Sequence, residues 1–563
     1  MAHLAESGSV RLLFAWPARR PWLHIAAAFL VMGGLFAAAM TGGQSLVYPL
    51  DDTYIHLILA KTLASAGVWG IDPQTPVAAS SSPLWTLLLA APYALLGTQG
   101  EAWMLYAPLA LNMLFLAGLI WLNARILNQA GAPGGLALLI TWLFTALPSV
   151  AVVGMEHVAH SVLITWFLFQ AAKQGEGSAS GPAGARLSLD DWLLAAAAAC
   201  AATIRYESLF IIGPVAAYAF WRGRVRQSFL IGLAAGVPLL AFGLWWVQGG
   251  GWMVPNALLL KGATANAAQP GILSWLGGVA HNTMGNLTAR PAMVSHTISL
   301  IHLFLACWLR PVAPSVAFFS RVTLLGVLAH VLLASFGWLF RYDAWLIQLN
   351  LLSILMLLAQ PKGVGPRLVW FVMGLCLVVL SIRLLGASVK TPQAMTDRRW
   401  EHVMPSDFTR QYLNGKTVLV NDLGVLAYQG GVKVVDLFGL GNNKPLRMRR
   451  SAAGYGPQQV SDLAHDVEGD AAIVQLCWGE VSDRLPADWT LIGFWEGARN
   501  VVFGDKVVAL FSLKPQENAR LANAFASFRP TEPVQVHGRE FADQFNLGDA
   551  ALRQSMLAQL CKR

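Results

Sequence analysis

The chain has 563 residues, 56% of them hydrophobic and only 12% charged, with a mean hydropathy of +0.52. Soluble globular chains carry about 25% charged residues, so a soluble enzyme is excluded and a polytopic α-helical membrane protein is expected. The net charge of +9 sits mainly in short loops between apolar runs, where membrane orientation accounts for it and no nucleic-acid partner is implied.

In chain order, Arg11, Arg19 and Arg20 precede an apolar run, Ile25 to Met40. It lacks a small-residue cleavage site and reads as a first spanning helix rather than a signal peptide. The stretch LVYPLDDTYIHLILAKTLASAG follows at 47–68. Further apolar stretches fall at 84–98, 102–121, 136–153, 157–171, 192–203, 207–221, 228–246, 297–309, 322–340, 344–359 and 368–386. A crossing needs about 20 residues, so several of these must extend into flanking polar positions. Residues 270–290 read as a surface or partly buried helix. From Lys390 onward, charges, turn residues and alternating runs such as KTVLVND and GVKVVDL replace the apolar blocks. The expected organisation is therefore a transmembrane domain at 1–389, with a first outer loop at 41–83, and a C-terminal α/β domain at 390–563.

Of the five cysteines, Cys200, Cys307 and Cys376 lie in apolar segments and behave as small hydrophobes. Cys477 and Cys561 are able to pair if their domain is extracytoplasmic. Orientation follows from Arg222, Arg224, Arg226, Arg310, Arg321, Lys362 and Arg367, which all sit near helix ends. Placing these in the cytoplasm puts four motifs on the opposite face: GMEH (154–157), IRYES (204–208), WMVPNALLLKG (252–262) and FRYDAW (340–345). The C-terminal domain follows to that side. Residues 41–101 then hold no net crossing, or the boundaries near 98–101 are shifted by one helix.

Asp51 and Asp52 have two readings. Aspartates suit the positive end of a helix and cap its N–H groups. Alternatively, one carboxylate takes a proton from an acceptor hydroxyl while the other orients it or holds a cation. Tyr54 and His56 follow on the same amphipathic stretch. Glu156, His157 and His160 either cap and line a polar seam or contribute to a metal site. Arg205 and Glu207 interrupt an apolar block, as paired or path-lining residues do. Lys261, and Arg341 with Asp343, sit where an anionic headgroup, above all a phosphate, would meet the membrane edge. Trp85 and Trp252 lie close enough to serve as pocket walls. Asn421, Asp422 and Asp436 read as turn and strand-end residues.

These motifs, taken in order, resemble the GT-C-fold glycosyltransferases, and most closely the branch of terminal β-arabinofuranosyltransferases. The similar segments are DDTYIHLILAKTLASAGVWG with SSSPLW at 80–85, GMEH, WMVPNALLLKG, RYDAWL, and VLVNDLGVLAYQGGVKVVDLFGL at 418–440. His157 stands where threonine is usual, and IRYES where an Arg-Pro-Asp-like segment is common. The resemblance implies a GT-C fold of about 11–13 transmembrane helices in a bacterial inner membrane. It implies inverting transfer of a sugar, arabinofuranose as the best match, from a polyprenyl-phosphate donor. The acceptor would be an envelope glycan, a lipopolysaccharide or a secreted protein. By it, Asp51 is the general base and Asp52 orients the acceptor or binds a metal. Arg341, with Arg205 or Lys261, stabilises the leaving phosphate. Tyr54, Glu156, His157, Glu207 and Asp343 border the donor, and His56, Trp85 and Trp252 the acceptor. No cofactor is demanded; a divalent cation would use Asp52, Glu156 and His157. The competing readings are a transporter or flippase of lipid-linked sugar, and a structural membrane subunit.

Overall fold

The computed structural model describes residues 20–562 except 41–44, 98–100, 133, 177–186, 262–270, 310–311, 361–364, 452–453, 479–482, 499 and 503–505. Arg11, Arg19, Arg310, Lys362 and most of the 98–101 junction lie outside the described residues. Seven described helices are long and apolar enough to cross a membrane: α1 (Pro21–Ala39), α4 (Ala107–Gln129), α5 (Gly134–Val152), α9 (Val225–Gln248), α12 (Arg290–Trp308), α13 (Pro314–Leu333) and α15 (Pro366–Tyr412). Between them come α2 (Asp52–Ala66), α3 (Pro83–Leu96), α6 (His157–Glu176), α7 (Leu189–Ile204), α8 (Leu209–Trp221), α10 (Asn256–Leu260), α11 (Ile272–Thr288) and α14 (Ala344–Leu358).

The expected 11–13 crossings are thus more than the helices that meet this length and composition. For most of the others the reason is length, and for the 20-residue α6 it is composition. A 14-residue helix such as α3 rises only about 21 Å, short of a hydrocarbon core of about 30 Å. Helix α14 is apolar because every one of its 15 residues is buried, which makes it a core helix of the bundle. Helix α11 is largely exposed, as its sequence suggests.

The change of composition near residue 390 does not coincide with a break. Helix α15 runs through it to Tyr412, with one π-helical turn at Arg399–Val403, and the first strand begins only at Thr417. The C-terminal sheet contains β1 (Thr417–Val420), β2 (Lys433–Asp436), β3 (Ala471–Gln475), β4 (Thr490–Glu496), β5 (Val507–Ser512) and β6 (Gln535–His537), in the order β2-β1-β3-β5-β4-β6. The β2-β1-β3 part is parallel and the rest antiparallel. Strand β3 is buried along its whole length, as a strand covered on both faces must be.

Strand order reverses between β1 and β3, and the crevice beyond their carboxyl ends is where open α/β sheets place ligands. Asn421 spans this point, donating to the Gln475 carbonyl at 3.1 Å and accepting from the Gln475 N–H at 2.9 Å. Here that end of the sheet meets the outer loop of the membrane domain. Ile55, Ile58, Leu59 and Trp69 of the loop share one apolar cluster with Trp400, Leu423, Leu426 and Trp495. Cys477 and Cys561 form a disulfide, with Cα atoms 5.3 Å apart.

Candidate functional site

Consecutive residues at a helix start point about 100° apart, and at the head of α2 this separates the two aspartates. Asp51 turns toward the C-terminal domain. Its carboxylate accepts the Val425 N–H at 2.8 Å and the Gly424 N–H. A Cβ on Gly424 would lie 2.3 Å from the Asp51 carbonyl oxygen and 2.7 Å from Oδ2, so only glycine permits this approach. Asp52 turns the other way, to the Arg341 guanidinium and, at 3.9 Å, to Lys261 Nζ. Burial alone would raise its pKa, but Lys261 and Arg341 hold the carboxyl well below the usual range.

His56 follows Asp52 by one turn of α2 and shares its face. Its Nδ1 lies 3.2 Å from Ser80 Oγ and its Nε2 3.5 Å from Glu156 Oε2. Burial lowers the imidazole pKa more than Glu156 raises it, so the ring is neutral. Glu156 is delivered by a turn that rests directly on α2. Gly154 there has φ +78°, and a Cβ would come within 2.4 Å of the Tyr48 ring. Thr53 Oγ1 donates to the Val153 carbonyl at 2.7 Å and ties the turn down.

Arg205 occupies the break between α7 and α8, in extended conformation. It donates through Nη1 to Glu156 Oε1 at 2.5 Å and through Nε to Glu207 Oε2 at 3.1 Å, and Nη1 lies 3.0 Å from His157 Nε2. Arg205 in turn holds Glu207 below its ordinary pKa against the effect of burial. The Tyr342 ring lies beneath two cations, Arg341 at 4.9 Å and Arg205 at 5.9 Å. Lys261 is positioned by Asn256 at the head of α10. The Asn256 amide donates to the carbonyls of Gly439 and Leu440, both at 3.2 Å, and to Asn443 at 3.0 Å.

Together these groups enclose a cavity of about 300 Å³, within the usual range for small-ligand sites. Asp52, His56, Ser80, Arg205, Glu207, Lys261, Arg341 and Tyr342 are its polar lining. Leu209, Phe210, Leu258 and Leu333 are among its apolar lining, the first two at the start of α8 and Leu333 at the end of α13. The four separated motifs therefore meet the first loop at one site.

Several expected site residues are elsewhere. Asp51, expected as a base, does not line the cavity; it is 3% exposed and both oxygens are taken by backbone N–H groups. Asp343 is buried against Arg383 Nη1 at 3.2 Å. Tyr54 accepts the Tyr48 N–H at 3.1 Å and packs against Tyr428. Trp85 is fully buried against Phe115, and Trp252 lies under Arg450. Glu156 and His157 stand behind the cavity wall, and His160 lies deeper, against Trp345.

The trio Asp52, Glu156 and His157 does not converge as a metal site, because Asp52 is held by Arg341 while the other two are gathered by Arg205. Among the described residues, the group whose ligand atoms lie within 4.8 Å of one another is Asp51, His402 and Asp422. Two carboxylates and an imidazole suit a divalent cation, and this buried cluster could hold one. Arg398 Nη1, 3.4 Å from Asp422 Oδ2, already supplies positive charge there. His402 lies on the π-helical turn of α15, and nothing in the run DRRWEH distinguished it from an ordinary charged helix end. Ser80, Tyr342 and Asn256 were within reach, since each stands inside a motif that already contained a site residue.

The domain family described as "Domain of unknown function (DUF8728)" matches residues 393–511. No curated protein matches the sequence. Among solved structures, ArnT from Cupriavidus metallidurans bound to undecaprenyl phosphate is similar at 13% identity and a TM-score of 0.49, covering 88% of this chain and 98% of that one. The arabinofuranosyltransferase AftD from Mycobacteria is similar at 16% identity and a TM-score of 0.42, covering 89% of this chain. This chain spans 40% of AftD's length.

Proposed function

We propose that this protein is an inverting membrane glycosyltransferase that moves a sugar from a polyprenyl-phosphate donor to a hydroxyl of an extracytoplasmic acceptor. The observation that carries the reading is the mixed lining of the cavity, cationic and apolar together. Arg341 and Lys261 flank Asp52 in its lining, which also contains Leu209 and Phe210 from the start of α8 and Leu333 from the end of α13. A lipid phosphate needs that combination: cations for the headgroup and an apolar lane for the chain.

In this scheme the acceptor oxygen attacks the anomeric carbon as the bond to the phosphate oxygen breaks on the opposite face. Arg341 and Lys261 meet the charge that gathers on the departing phosphate. No acid is required, because a phosphate leaves as an anion. Asp52 holds the two cations in place and opposes them when the site is empty. Arg205 and Glu207, fixed by each other, offer donors and acceptors to sugar hydroxyls. Arabinofuranose is the sugar favoured by the motif resemblance, with an envelope glycan, lipopolysaccharide or secreted protein as acceptor. The disulfide supports placing the acceptor side outside the cytoplasm of a bacterial inner membrane.

The test is transfer by purified full-length protein in detergent, from synthetic polyprenyl-phosphate arabinofuranose to fractionated envelope acceptors, with and without EDTA. Transfer is expected. Release from a different polyprenyl-phosphate sugar alone would replace arabinose, and a loss with EDTA would give the Asp51, His402 and Asp422 cluster a bound cation. Movement of intact lipid-linked sugar across vesicles, without transfer, would favour the transporter reading.

A further inference from the structure

Three groups at the cavity wall follow one another in contact. Ser80 Oγ is 3.2 Å from His56 Nδ1, and His56 Nε2 is 3.5 Å from Glu156 Oε2. None is more than 5% exposed; Ser80 and His56 line the cavity and Glu156 stands behind them. They come from three separate places: the segment before α3, the second turn of α2, and the turn between α5 and α6.

The polarity of the line is set by its neighbours. Glu156 Oε1 is engaged by Arg205, while Oε2 has no hydrogen bond among the described residues and faces the imidazole. The imidazole and the carboxylate are within ion-pair distance and not hydrogen-bonded at 3.5 Å; a proton carried on Nε2, the Glu156 side, leaves the Nδ1 lone pair for Ser80. Ser80 Oγ accepts the Ser82 N–H at 2.9 Å, so its own proton is free to point at Nδ1. Buried carboxylate, imidazole and hydroxyl in this order are arranged to draw a proton inward from the cavity.

The two aspartates are poorly suited to that task. Asp51 does not line the cavity, and Asp52 is committed to two cations, which weakens it as a base.

We propose that Ser80, His56 and Glu156 form the proton relay for the acceptor hydroxyl, a role that rests on the glycosyl-transfer reading. The acceptor oxygen forms its bond to the anomeric carbon, and the carbon–oxygen bond to phosphate breaks with its electron pair leaving on the phosphate. The acceptor proton passes to Ser80 Oγ as the Ser80 proton passes to His56 Nδ1. Glu156 balances the imidazolium until it returns the proton to water. Ser80 is the group that touches the acceptor; His56 and Glu156 act through it.

The experiment uses full-length protein in detergent, polyprenyl-phosphate sugars as donors and fractionated envelope glycans as acceptors. Ser80→Ala and His56→Gln are expected to lower kcat by on the order of 10²–10⁴ while the donor KM stays within about threefold. The double variant should be no worse than the poorer single one, because the groups act as a unit. Added imidazole should restore part of the activity of His56→Ala, which only a folded variant allows. Near-normal kcat in either single variant, or a loss that resides in donor KM, would overturn the relay while leaving the transferase reading intact. A wild-type protein that transfers no sugar from any of these donors would overturn both.

Discussion

Arg341 is the residue on which the cavity's electrostatics turn. It is 1% exposed, contacts Asp52 directly and lies over the Tyr342 ring, and the Met155 sulfur fills the space beside it. A guanidinium held from three sides presents its remaining donors in a fixed direction, which a lysine does not reproduce. Arg341→Gln is therefore expected to lower kcat/KM for the lipid donor by on the order of 10²–10³, the size of losing one preorganised donor to a developing charge. Arg341→Lys should recover only part of this in the same steady-state assay. Full recovery would mean that a point charge suffices. Lys261, 40% exposed and 3.9 Å from Asp52, should matter less when replaced by methionine.

At the scale of elements, the head of α2 joins two domains. Asp51 fastens the short helix α16 (Gly424–Gln429) that follows β1, while Asp52 on the next position builds the cavity. The loop after β2 is held from both sides in the same way. Asp436 accepts the N–H groups of Phe438, Gly439 and Gly441, Asn256 caps the Gly439 and Leu440 carbonyls, and Leu440 reaches the cavity wall. The C-terminal domain therefore shapes the site without supplying its charges. Asp51→Ala and Gly424→Ala should each loosen this junction by about 2–4 kcal/mol, since hydrogen bonds to a buried carboxylate are lost or forced apart. Faster amide exchange in β1 and α16, with the membrane helices unchanged, is the expected readout. Unchanged exchange in both variants would show that the shared apolar cluster alone holds the junction. The two aspartates stood out in the sequence because adjacent carboxylates beside an apolar run need a reason. Which faces the cavity was not, because helix phase at a terminus depends on where the first turn begins.

For the molecule as a whole, the membrane bundle and the C-terminal sheet share a core through the segment 55–69, and the disulfide ties the end of the inner strand β3 to the last helix. That bond joins Cys477, just beyond β3, to Cys561, 84 residues on, near the end of α21 (Ala550–Lys562), the last helix after α17 (Asn443–Arg449), α18 (Pro457–Asp466), α19 (Asn518–Ser527) and α20 (Arg539–Leu547). Closing a loop of that length stabilises the domain by roughly 4.5 kcal/mol in the chain-entropy account. Cys561→Ser should lower the melting temperature of the C-terminal domain by on the order of 10 °C, and a reductant should produce the same shift in the wild type. No shift in either case would exclude a stabilising role for the bond.

Composition and hydropathy determined by themselves that the chain is a polytopic helical membrane protein with a C-terminal α/β domain, because burial in lipid leaves its mark on every apolar run. The candidate motifs were also readable, since ionisable residues in apolar surroundings stand out against their neighbours. Only the tertiary structure decided which apolar helices are buried inside the bundle, since a core helix such as α14 and a spanning helix are equally hydrophobic. It likewise decided that residues as far apart as Asp52, Glu156, Arg205, Lys261 and Arg341 meet, and that Asp343 and Trp85 do not join them. Local sequence carries helix periodicity and charge, whereas the side of a helix that faces a given neighbour follows from packing between segments hundreds of residues apart.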